Sequence, residues 1–307
     1  MNSFAHDPVM VDEIVEVFRS VPSGVVLDAT LGGGGHSSAI LDSRDDVSIL
    51  GLDRDPAAID AAGRRLASFG ARAVLQHRRF DEIDEAMDEA GVDELSGALF
   101  DLGVSSHQFD AAERGFSYRH DAPLDMRMDP TESRSAADVV NSASIDELTD
   151  ILRSYADERF ARRIAQAIVT SRPIATTGEL AEIVASAIPA PARRRGGHPA
   201  KRTFQALRIE VNRELDVLPI ALDRAVARLV SGGRVAVLSY HSGEDRIVKE
   251  RFRHLETGGC TCPAGLPCGC GAVARVRRVR VAARPGADEQ SRNPRSSSAR
   301  LRVVEAV

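Results

Sequence analysis

Glycines and carboxylates that could bind a ligand follow the apolar runs in the first hundred residues. A glycine cluster, Gly32 to Gly35, comes shortly after the apolar run Val25 to Asp28. Asp53 ends a second run about 20 residues after the glycines, which suits a carboxylate that accepts hydrogen bonds from a ribose diol. Asp101 ends a later run. Because glycine lets the backbone approach a ligand without a Cβ in the way, the pattern indicates a nucleoside-containing cofactor.

The spacing of these glycines discriminates between the cofactors that a glycine-rich loop could bind. The dinucleotide fingerprint G-x-G-x-x-G would need its third glycine at Ser37 or Ser38. A phosphate-binding P-loop would need a lysine, and no lysine precedes Lys201. A glycine loop without a pyrophosphate cradle favours S-adenosylmethionine, whose sulfonium and amino-acid parts carry no phosphate. An ordinary glycine turn and an NAD-dependent oxidoreductase are the alternatives.

The elements that must position these residues alternate between strands and helices. Short continuous apolar runs, separated by segments of helical spacing, occur at 25–28, 48–52, 73–75 and 97–100. Such runs are typical of a parallel sheet covered on both faces, where ligands bind at the carboxyl ends of the strands. Strand character returns at 235–238, after a predicted turn at 231–233, and in two runs expected to form a closing hairpin, 276–281 and 301–304.

The alternation stops between residues 106 and 213, where helical patterns dominate. Segments 145–154, 158–170 and 178–187 have helical spacing, and leucines and a valine between 207 and 222 lie on one helical face that Pro219 is expected to kink or restart. The sequence therefore predicts one doubly wound α/β domain, residues 1–105 and 214–307, interrupted by an all-helical domain, residues 106–213.

Several longer motifs are specific enough to indicate a family. They run nearly from end to end of the chain and include Asp28 to His36, Leu52 to Pro56, Asp101 to Ser106, Pro123 to Asp129 (PLDMRMD), Arg202 to Ala206 (RTFQA) and His241 to Arg246 (HSGEDR). On these motifs the chain resembles the RsmH (MraW) family, the bacterial 16S ribosomal RNA cytosine-N4 methyltransferases. The resemblance implies a Rossmann-like class I methyltransferase fold with a helical insertion and S-adenosylmethionine as cofactor.

The resemblance also implies a substrate and a set of cofactor contacts. The expected reaction methylates the N4 amine of a specific cytosine in the decoding region of 16S ribosomal RNA, within the small ribosomal subunit. The implied cofactor-binding residues are Gly34, Gly35, His36, Asp53, Phe80, Asp101 and Gln108. In this interpretation Asp53 holds the ribose hydroxyls and Phe80 packs on the adenine. A non-catalytic RNA-binding or ribosome-assembly protein that retains the fold is the alternative.

Two residues are candidates for the chemical step. The exocyclic amine of cytosine is a poor nucleophile because its lone pair is delocalised into the ring, so an acceptor aimed at an N–H would favour attack. Asp101 is the best acceptor by position, whether it touches the target base or only the cofactor. His241, at the end of the run 235–238, is the second candidate, against the alternative of a loop histidine satisfied by hydrogen bonds.

The charge balance is acidic overall but uneven along the chain. Forty basic residues stand against 45 acidic ones, a formal net charge of −5. Acids concentrate between Asp81 and Glu94, whereas the segments 193–213 and 275–307 each carry an excess of six positive charges. Arginine-rich segments suit phosphate contacts, so we expect RNA contact there; an ordinary solvated surface is the alternative.

The four cysteines fall within eleven residues, at Cys260, Cys262, Cys268 and Cys270. A disulfide-stapled secreted domain would spread its cysteines along the chain. The C-x-C…C-x-C spacing is compatible with a zinc ion, but it is tighter than the usual zinc knuckle, and ordinary reduced thiols are the alternative. The sequence alone assigns no metal ligand.

The chain lacks the sequence signals of export and of membrane insertion. Its first residues carry acids inside the apolar pattern and no basic segment, so we expect no signal peptide. No stretch approaches the ~18 apolar residues that span a bilayer. A cytoplasmic location is the expectation, and the sequence says nothing about the oligomeric state.

Overall fold

The computed structural model describes residues 8–104, 109, 111–193, 197–263 and 269–307, except for the side chain of Arg295. The chain divides into two compact units, one formed by Met1–Gly103 with Leu215–Val307 and one by Val104–Glu214. The first unit contains a seven-stranded sheet, and the second is helical. Within the described ranges, no helix combines the length and the apolar character needed to cross a membrane.

The sheet has the strand order β3-β2-β1-β4-β5-β7-β6. Its strands are β1 (Gly24–Asp28), β2 (Val47–Asp53), β3 (Ala73–His77), β4 (Leu95–Asp101), β5 (Leu229–Ser239), β6 (Val276–Val279) and β7 (Arg300–Ala306). Strands β1 to β5 are parallel to one another, and β7 pairs antiparallel with both β5 and β6. This is the strand order of class I methyltransferases, so the predicted fold class is confirmed, as is the closing hairpin.

The strands are continuous apolar runs because both faces of the sheet are covered. Val26 and Leu99 belong to one buried cluster, which includes Ile14 and Ile40 from the helices on that side. Their chain neighbours Leu27 and Phe100 belong to a second cluster on the opposite face. Successive strand residues point to opposite faces, so each run must be apolar at every position to fill both clusters.

In the first unit, one helix precedes β1 and the other described helices lie between strands in sequence. They are α1 (Val11–Arg19), α2 (Gly35–Ser43), α3 (Pro56–Leu66), α4 (Ile83–Ala90), α11 (Glu214–Ala227, whose first residue belongs to the second unit), α12 (Ser242–Thr257) and α13 (Ala287–Arg292). The start of α3 is encoded locally: the Asp55 carboxylate accepts a hydrogen bond from the Ala57 N–H, and Pro56 occupies the first helical position. A proline is favourable there because its missing N–H would have no partner in the helix.

The second unit packs its helices around a core of its own. These helices are α5 (Ala136–Ser142), α6 (Ile145–Ala156), α7 (Ala161–Thr170), α8 (Thr177–Ala187), α9 (Ala190–Arg193) and α10 (Lys201–Asn212). The predicted capping box at the start of α6 is present, because Ser144 and Glu147 each bond the backbone of the other. Fully buried residues such as Leu148, Ile164 and Leu207 form the core.

Two local predictions were wrong. The helical face predicted across 207–222 is broken at Arg213, whose backbone is left-handed (φ 52°), and not at Pro219, which lies inside α11. Arg208 holds Glu214 across the break with two hydrogen bonds of 2.8 and 2.9 Å, an arrangement that leucine spacing does not reveal. The turn predicted at 231–233 is a bulge within β5, where the register with β4 shifts before Gly97.

Candidate active site

The glycine loop between β1 and α2 turns the backbone at the carboxyl end of β1. Gly32 and Gly34 have positive φ angles of 51° and 72°, and α2 begins directly after Gly34. A Cβ on Gly35 would lie 2.3 Å from Cγ of Pro8, so a larger residue would displace the chain. The loop brings backbone N–H groups at the start of a helix to the strand ends, where open α/β sheets bind their ligands.

Asp28 is a fully buried carboxylate at the end of β1. Its Oδ2 accepts a hydrogen bond of 2.6 Å from the Ser37 hydroxyl, and its Oδ1 accepts one of 3.3 Å from the Thr30 N–H. Burial raises the pKa of Asp28 above its usual value, and the bond from Ser37 opposes that rise. A cation bound nearby would therefore relieve the cost of keeping this group ionised.

Asp53 ends β2 with both carboxylate oxygens bonded to backbone. Oδ2 accepts from the Gly32 N–H and Oδ1 from the Asp55 N–H, each at 2.8 Å. The first bond ties the end of β2 to the glycine loop, so the two sequence features predicted to act together do lie together. Burial raises the pKa of Asp53 to about 6, against the lowering effect of the two backbone bonds.

Asp101, at the end of β4, lies between two other polar side chains. Its Oδ1 accepts a 2.6 Å hydrogen bond from the Tyr240 hydroxyl, and its Oδ2 lies 3.6 Å from Nδ1 of His36. The other ring nitrogen of His36, Nε2, lies 2.9 Å from the Val9 carbonyl oxygen, to which it can only donate. The carboxylate keeps 25% of its side chain exposed, whereas His36 keeps 6%. Asp101 is thus oriented by the Tyr240 hydroxyl on one side and is still reachable.

Tyr240 is the member of this group that sequence reasoning missed. Burial, with the charge of Asp101 beside it, holds the pKa of the Tyr240 hydroxyl well above its ordinary value of 10.0. The hydroxyl therefore remains a proton donor to Asp101 at neutral pH. The available signal was its position directly after Ser239, at the carboxyl end of β5 and next to the end of β4.

The remaining predicted cofactor residues have different outcomes. Phe80 lies shortly after β3, half-buried, with its ring edge-on to Phe100 at a centroid distance of 6.1 Å. Its ring is held in place at the same edge of the sheet as Asp53. Gln108 lies outside the described residues.

His241 caps a helix in this structure. It is the residue before α12, and its Nδ1 accepts hydrogen bonds from the Gly243 and Glu244 N–H groups at 3.2 and 3.4 Å. The Glu244 carboxylate in turn accepts from the backbone N–H groups of Tyr240 and His241. Its Nε2 lies 3.0 Å from Oε1 of the same carboxylate, and a catalytic role for His241 stays a prediction.

A pocket of about 670 Å³ opens beside Tyr240 and His241. Five basic residues line it: Arg246, Lys249, Arg253, Arg284 and Arg300. We call these five residues and the space between them the basic pocket. All five are exposed, and within the described part of the chain none of them forms an ion pair. Asp245 and Glu250 also line the pocket, so its side chains carry an excess of three positive charges, which favours phosphate groups.

The two basic segments predicted for RNA contact contribute unequally. In 275–307, Arg284 and Arg300 line the basic pocket, whereas Arg277 and Arg302 pair with Glu305 and Asp245. In 193–213, Arg208 is buried in its ion pair with Glu214, and residues 194–196 lie outside the described ranges. RNA contact by either segment stays a prediction.

The donor set at the strand ends fits a positively charged nucleoside cofactor. Carboxylates end three neighbouring strands at Asp28, Asp53 and Asp101, and burial raises the pKa of the first two, so a cation would be favoured there. The positive φ angles of Gly32 and Gly34 turn the loop at the strand ends, and the half-buried ring of Phe80 lies at the same edge of the sheet. S-adenosylmethionine carries a sulfonium, an ammonium, a ribose and an adenine, which matches this set.

Comparison with known proteins gives the family. Residues 3–307 match the model of the MraW methylase family. The chain belongs to that family. It is 51% identical to Ribosomal RNA small subunit methyltransferase H of Heliobacterium modesticaldum, with 99% of each chain covered, and 51% identical to the protein of that name in Thermobifida fusca, with 98% of this chain and 93% of the other covered.

A solved rRNA methylase from Streptococcus thermophilus is similar over 97% of this chain and 93% of its own, at 12% identity and a TM-score of 0.42. Membership in the MraW methylase family confirms that the protein is a methyltransferase, and it confirms S-adenosylmethionine as the predicted cofactor.

Proposed function

We propose that this protein transfers a methyl group from S-adenosylmethionine to the N4 amine of a specific cytosine in the decoding region of 16S ribosomal RNA, within the small ribosomal subunit. Two relatives with 51% identity over nearly the whole chain are named as ribosomal RNA small subunit methyltransferases, which supports this substrate class. The cytosine and its N4 position come from the motifs of the RsmH family present in the sequence.

The cofactor is proposed to lie along the ends of β1, β2 and β4. Gly34 and Gly35 would allow its close approach to the start of α2. Asp53 would accept hydrogen bonds from the ribose hydroxyls, and Phe80 would pack against the adenine. When bound, S-adenosylmethionine supplies the electrophilic methyl group. The residues of this chain supply the orientation, which in group transfer between two bound partners is a large part of the rate enhancement.

Asp101 is proposed to act on the target amine. A carboxylate that accepts a hydrogen bond from the amine N–H keeps on the nitrogen the electron density that the cytosine ring otherwise withdraws. As the nitrogen–methyl bond forms and the sulfur–methyl bond breaks, the amine must lose a proton, which the same carboxylate would accept. The Tyr240 hydroxyl, bonded to Oδ1 at 2.6 Å, stabilises the ionised carboxylate and fixes its direction. Nδ1 of His36 lies 3.6 Å from Oδ2, too far for a hydrogen bond. Oδ2 is therefore the oxygen proposed to face the amine.

The basic pocket is proposed to hold RNA phosphates next to this site. Arg246, Lys249 and Arg253 recur on α12 at spacings of three and four, which puts them on one helical face. The pocket also contains Tyr240, which contacts Asp101 directly, so the phosphate contacts and the carboxylate are one side chain apart. Phosphate contacts position the RNA without reading its sequence. A target base inside folded RNA must also be unstacked before it can react.

The observation that carries the proposal is the Asp101–Tyr240 contact, which joins an oriented carboxylate to the basic pocket. The direct test incubates the protein and labelled S-adenosylmethionine with small ribosomal subunits or with free 16S RNA. We expect label on one cytosine, which mass spectrometry of nuclease fragments locates and chromatography against N4- and C5-methylcytidine standards identifies.

A C5-methylcytidine product, or label on the large-subunit RNA instead, would contradict the assignment. RNA that is bound but never methylated would favour the alternative of a non-catalytic assembly protein. Cells that lack the protein provide the matched control, because the modified cytosine should be absent there and should return with the wild-type gene but not with an Asp101→Ala variant.

A further inference from the structure

Three cysteine thiols converge in the segment between α12 and β6. The Sγ atoms of Cys260, Cys262 and Cys270 all lie within 4.8 Å of one another. Cys260 and Cys262 are half-buried and Cys270 is exposed. Seven residues lie between Cys262 and Cys270 in the sequence, so the contact of the third thiol with the first two is not a contact between immediate neighbours.

The distance between the sulfurs matches a metal site and not a disulfide. Sγ of Cys260 lies 3.6 Å from Sγ of Cys270. Bonded sulfurs in a disulfide are about 2.05 Å apart. Two thiolates bound to a tetrahedral zinc ion with Zn–S bonds of ~2.3 Å lie about 3.8 Å apart. The observed separation is therefore close to one edge of a zinc tetrahedron.

The backbone around the thiols is closed at its base, which keeps them together. A Cβ on Gly258 would lie 2.3 Å from the Val273 carbonyl oxygen, so the chain segments that enter and leave the loop touch where only glycine fits. The Arg275 N–H donates to the Leu255 carbonyl oxygen at 3.0 Å just below that point. The Cys262 N–H points to Sγ of Cys260 at 3.4 Å, a bond that stabilises a thiolate ligand.

The loop has no apolar core that would hold this geometry. Within 258–263 and 269–275, none of the residues is buried, and Val273 is 75% exposed. A segment of this kind cannot offset its conformational entropy by burying apolar surface. A metal ion can, because its binding free energy becomes folding free energy for the ligands it collects.

We propose that Cys260, Cys262 and Cys270 bind a structural zinc ion that fixes the loop between α12 and β6. Thiolate ligands favour zinc over hard cations such as magnesium and calcium, which prefer oxygen ligands. Cys268 lies outside the described residues, and the proposal rests on the three thiols that the structure brings together.

The test measures metal in the purified protein and does not depend on methyl transfer. We expect about one zinc ion per chain by elemental analysis of reduced wild-type protein. Cobalt(II) added to the metal-free protein should produce the intense thiolate charge-transfer absorption and the visible bands of a tetrahedral sulfur site. A Cys260→Ser, Cys270→Ser double variant should lose both signals. Thr261→Ser, between two of the ligands, is the matched control and should keep them.

A second readout follows the loop itself. Limited proteolysis should cut the segment 258–275 at least tenfold faster after a chelator removes the metal, while the rest of the chain remains intact. Wild-type protein that holds no zinc and shows no cobalt thiolate absorption overturns the proposal. A wild-type mass that is two hydrogens lower than expected and that reduction restores would also overturn it, because it would show a disulfide. Zinc that remains bound in the double variant would overturn it as well.

Discussion

Two charged regions meet at the carboxyl ends of β4 and β5, and they differ in sign and in exposure. The acidic site comprises Asp28, Asp53 and Asp101 with His36 and Tyr240, and its groups are largely withdrawn from water. The basic pocket consists of exposed side chains without ion-pair partners in the described chain. The net charge of −5 averages over both regions and describes neither.

The difference in exposure predicts a difference in function. A charged group that is shielded from water interacts with few partners in fixed directions. Its substitution should therefore change the rate of methyl transfer or the cofactor affinity and leave the RNA affinity unchanged. An exposed cation is screened by salt and acts over the whole RNA backbone, so changing it should alter RNA affinity by a small factor and leave the cofactor alone. Four experiments test this contrast.

The largest effect is expected for Asp101→Asn, which keeps the shape of the side chain and removes its charge. Methyl transfer should fall by about 100-fold or more, as is typical when a group that assists proton movement is lost. Cofactor affinity should fall less than tenfold. Single-turnover transfer of labelled methyl and equilibrium binding of the cofactor separate the two. Asp42→Asn, an exposed carboxylate on α2, is the matched control. Wild-type turnover, or a turnover loss matched by lost cofactor affinity, would contradict action on the base.

Tyr240→Phe should have the next largest effect. It removes a hydrogen bond to a charged group, worth about 1.5–3 kcal/mol, so the rate of methyl transfer should fall by about tenfold or more. The bond favours the ionised form of Asp101, so its loss should raise the pKa of that carboxyl and move the acid limb of the pH–rate profile to higher pH. Tyr118→Phe, in the helical unit, is the control. A lower rate with an unshifted pH–rate profile would mean that Tyr240 contributes by packing and not through its hydrogen bond to Asp101.

The pH dependence of cofactor binding should come third in size. The pKa of Asp53 is about 6, raised by burial, so the ionised form that accepts hydrogen bonds dominates above pH 6 and is lost below it. Cofactor affinity should therefore be full at pH 7 and about tenfold weaker at pH 5. Binding measured across that range in wild type and in Asp53→Asn checks this, since the variant should bind weakly at every pH. Constant wild-type affinity from pH 7 to pH 5 would exclude Asp53 as the titrating contact.

The smallest effect is expected for Arg253→Ala in the basic pocket. One exposed ion pair contributes up to about 1 kcal/mol, so RNA affinity should fall by no more than about fivefold at moderate salt. The slope of log affinity against log salt should become shallower by about 0.7–0.9, the share of one phosphate contact. Arg64→Ala, an exposed arginine on α3, should change neither quantity. Weakened cofactor binding in Arg253→Ala would show that the basic pocket also contributes to cofactor binding.

Much of the fold could be predicted because it depends on local sequence patterns, such as apolar runs and helix caps. Apolar runs over 25–28 and 48–52 are β1 and β2 within a residue or so at each end, and the capping box at Ser144 starts a helix as expected. The break at Arg213 could not be predicted, because it depends on a left-handed residue and an ion pair between Arg208 and Glu214. The bulge in β5 likewise depends on its register with β4.

The residues of the candidate site likewise include some that sequence patterns predict and some that only the structure reveals. Gly34, Asp53 and Asp101 could be selected because strand ends in a parallel sheet converge, whatever the detail of the packing. Tyr240 lies at a strand end as well, but its hydrogen bond to Asp101, 139 positions earlier, depends on which strands are neighbours in the sheet. The helix-capping contacts of His241 were also invisible in the sequence, since a histidine at a strand end is equally compatible with catalysis.

By itself, the sequence determined the fold class, the family and the cofactor, because periodicity and contiguous motifs depend on neighbours along the chain. Only the tertiary structure decided which groups share a site: that Tyr240 orients Asp101, that five cations surround one pocket, and that three cysteine sulfurs lie within 4.8 Å of one another. Hydrogen bonds, pKa shifts and metal coordination act over a few ångströms, and strands and loops far apart in sequence reach such distances only in the folded chain.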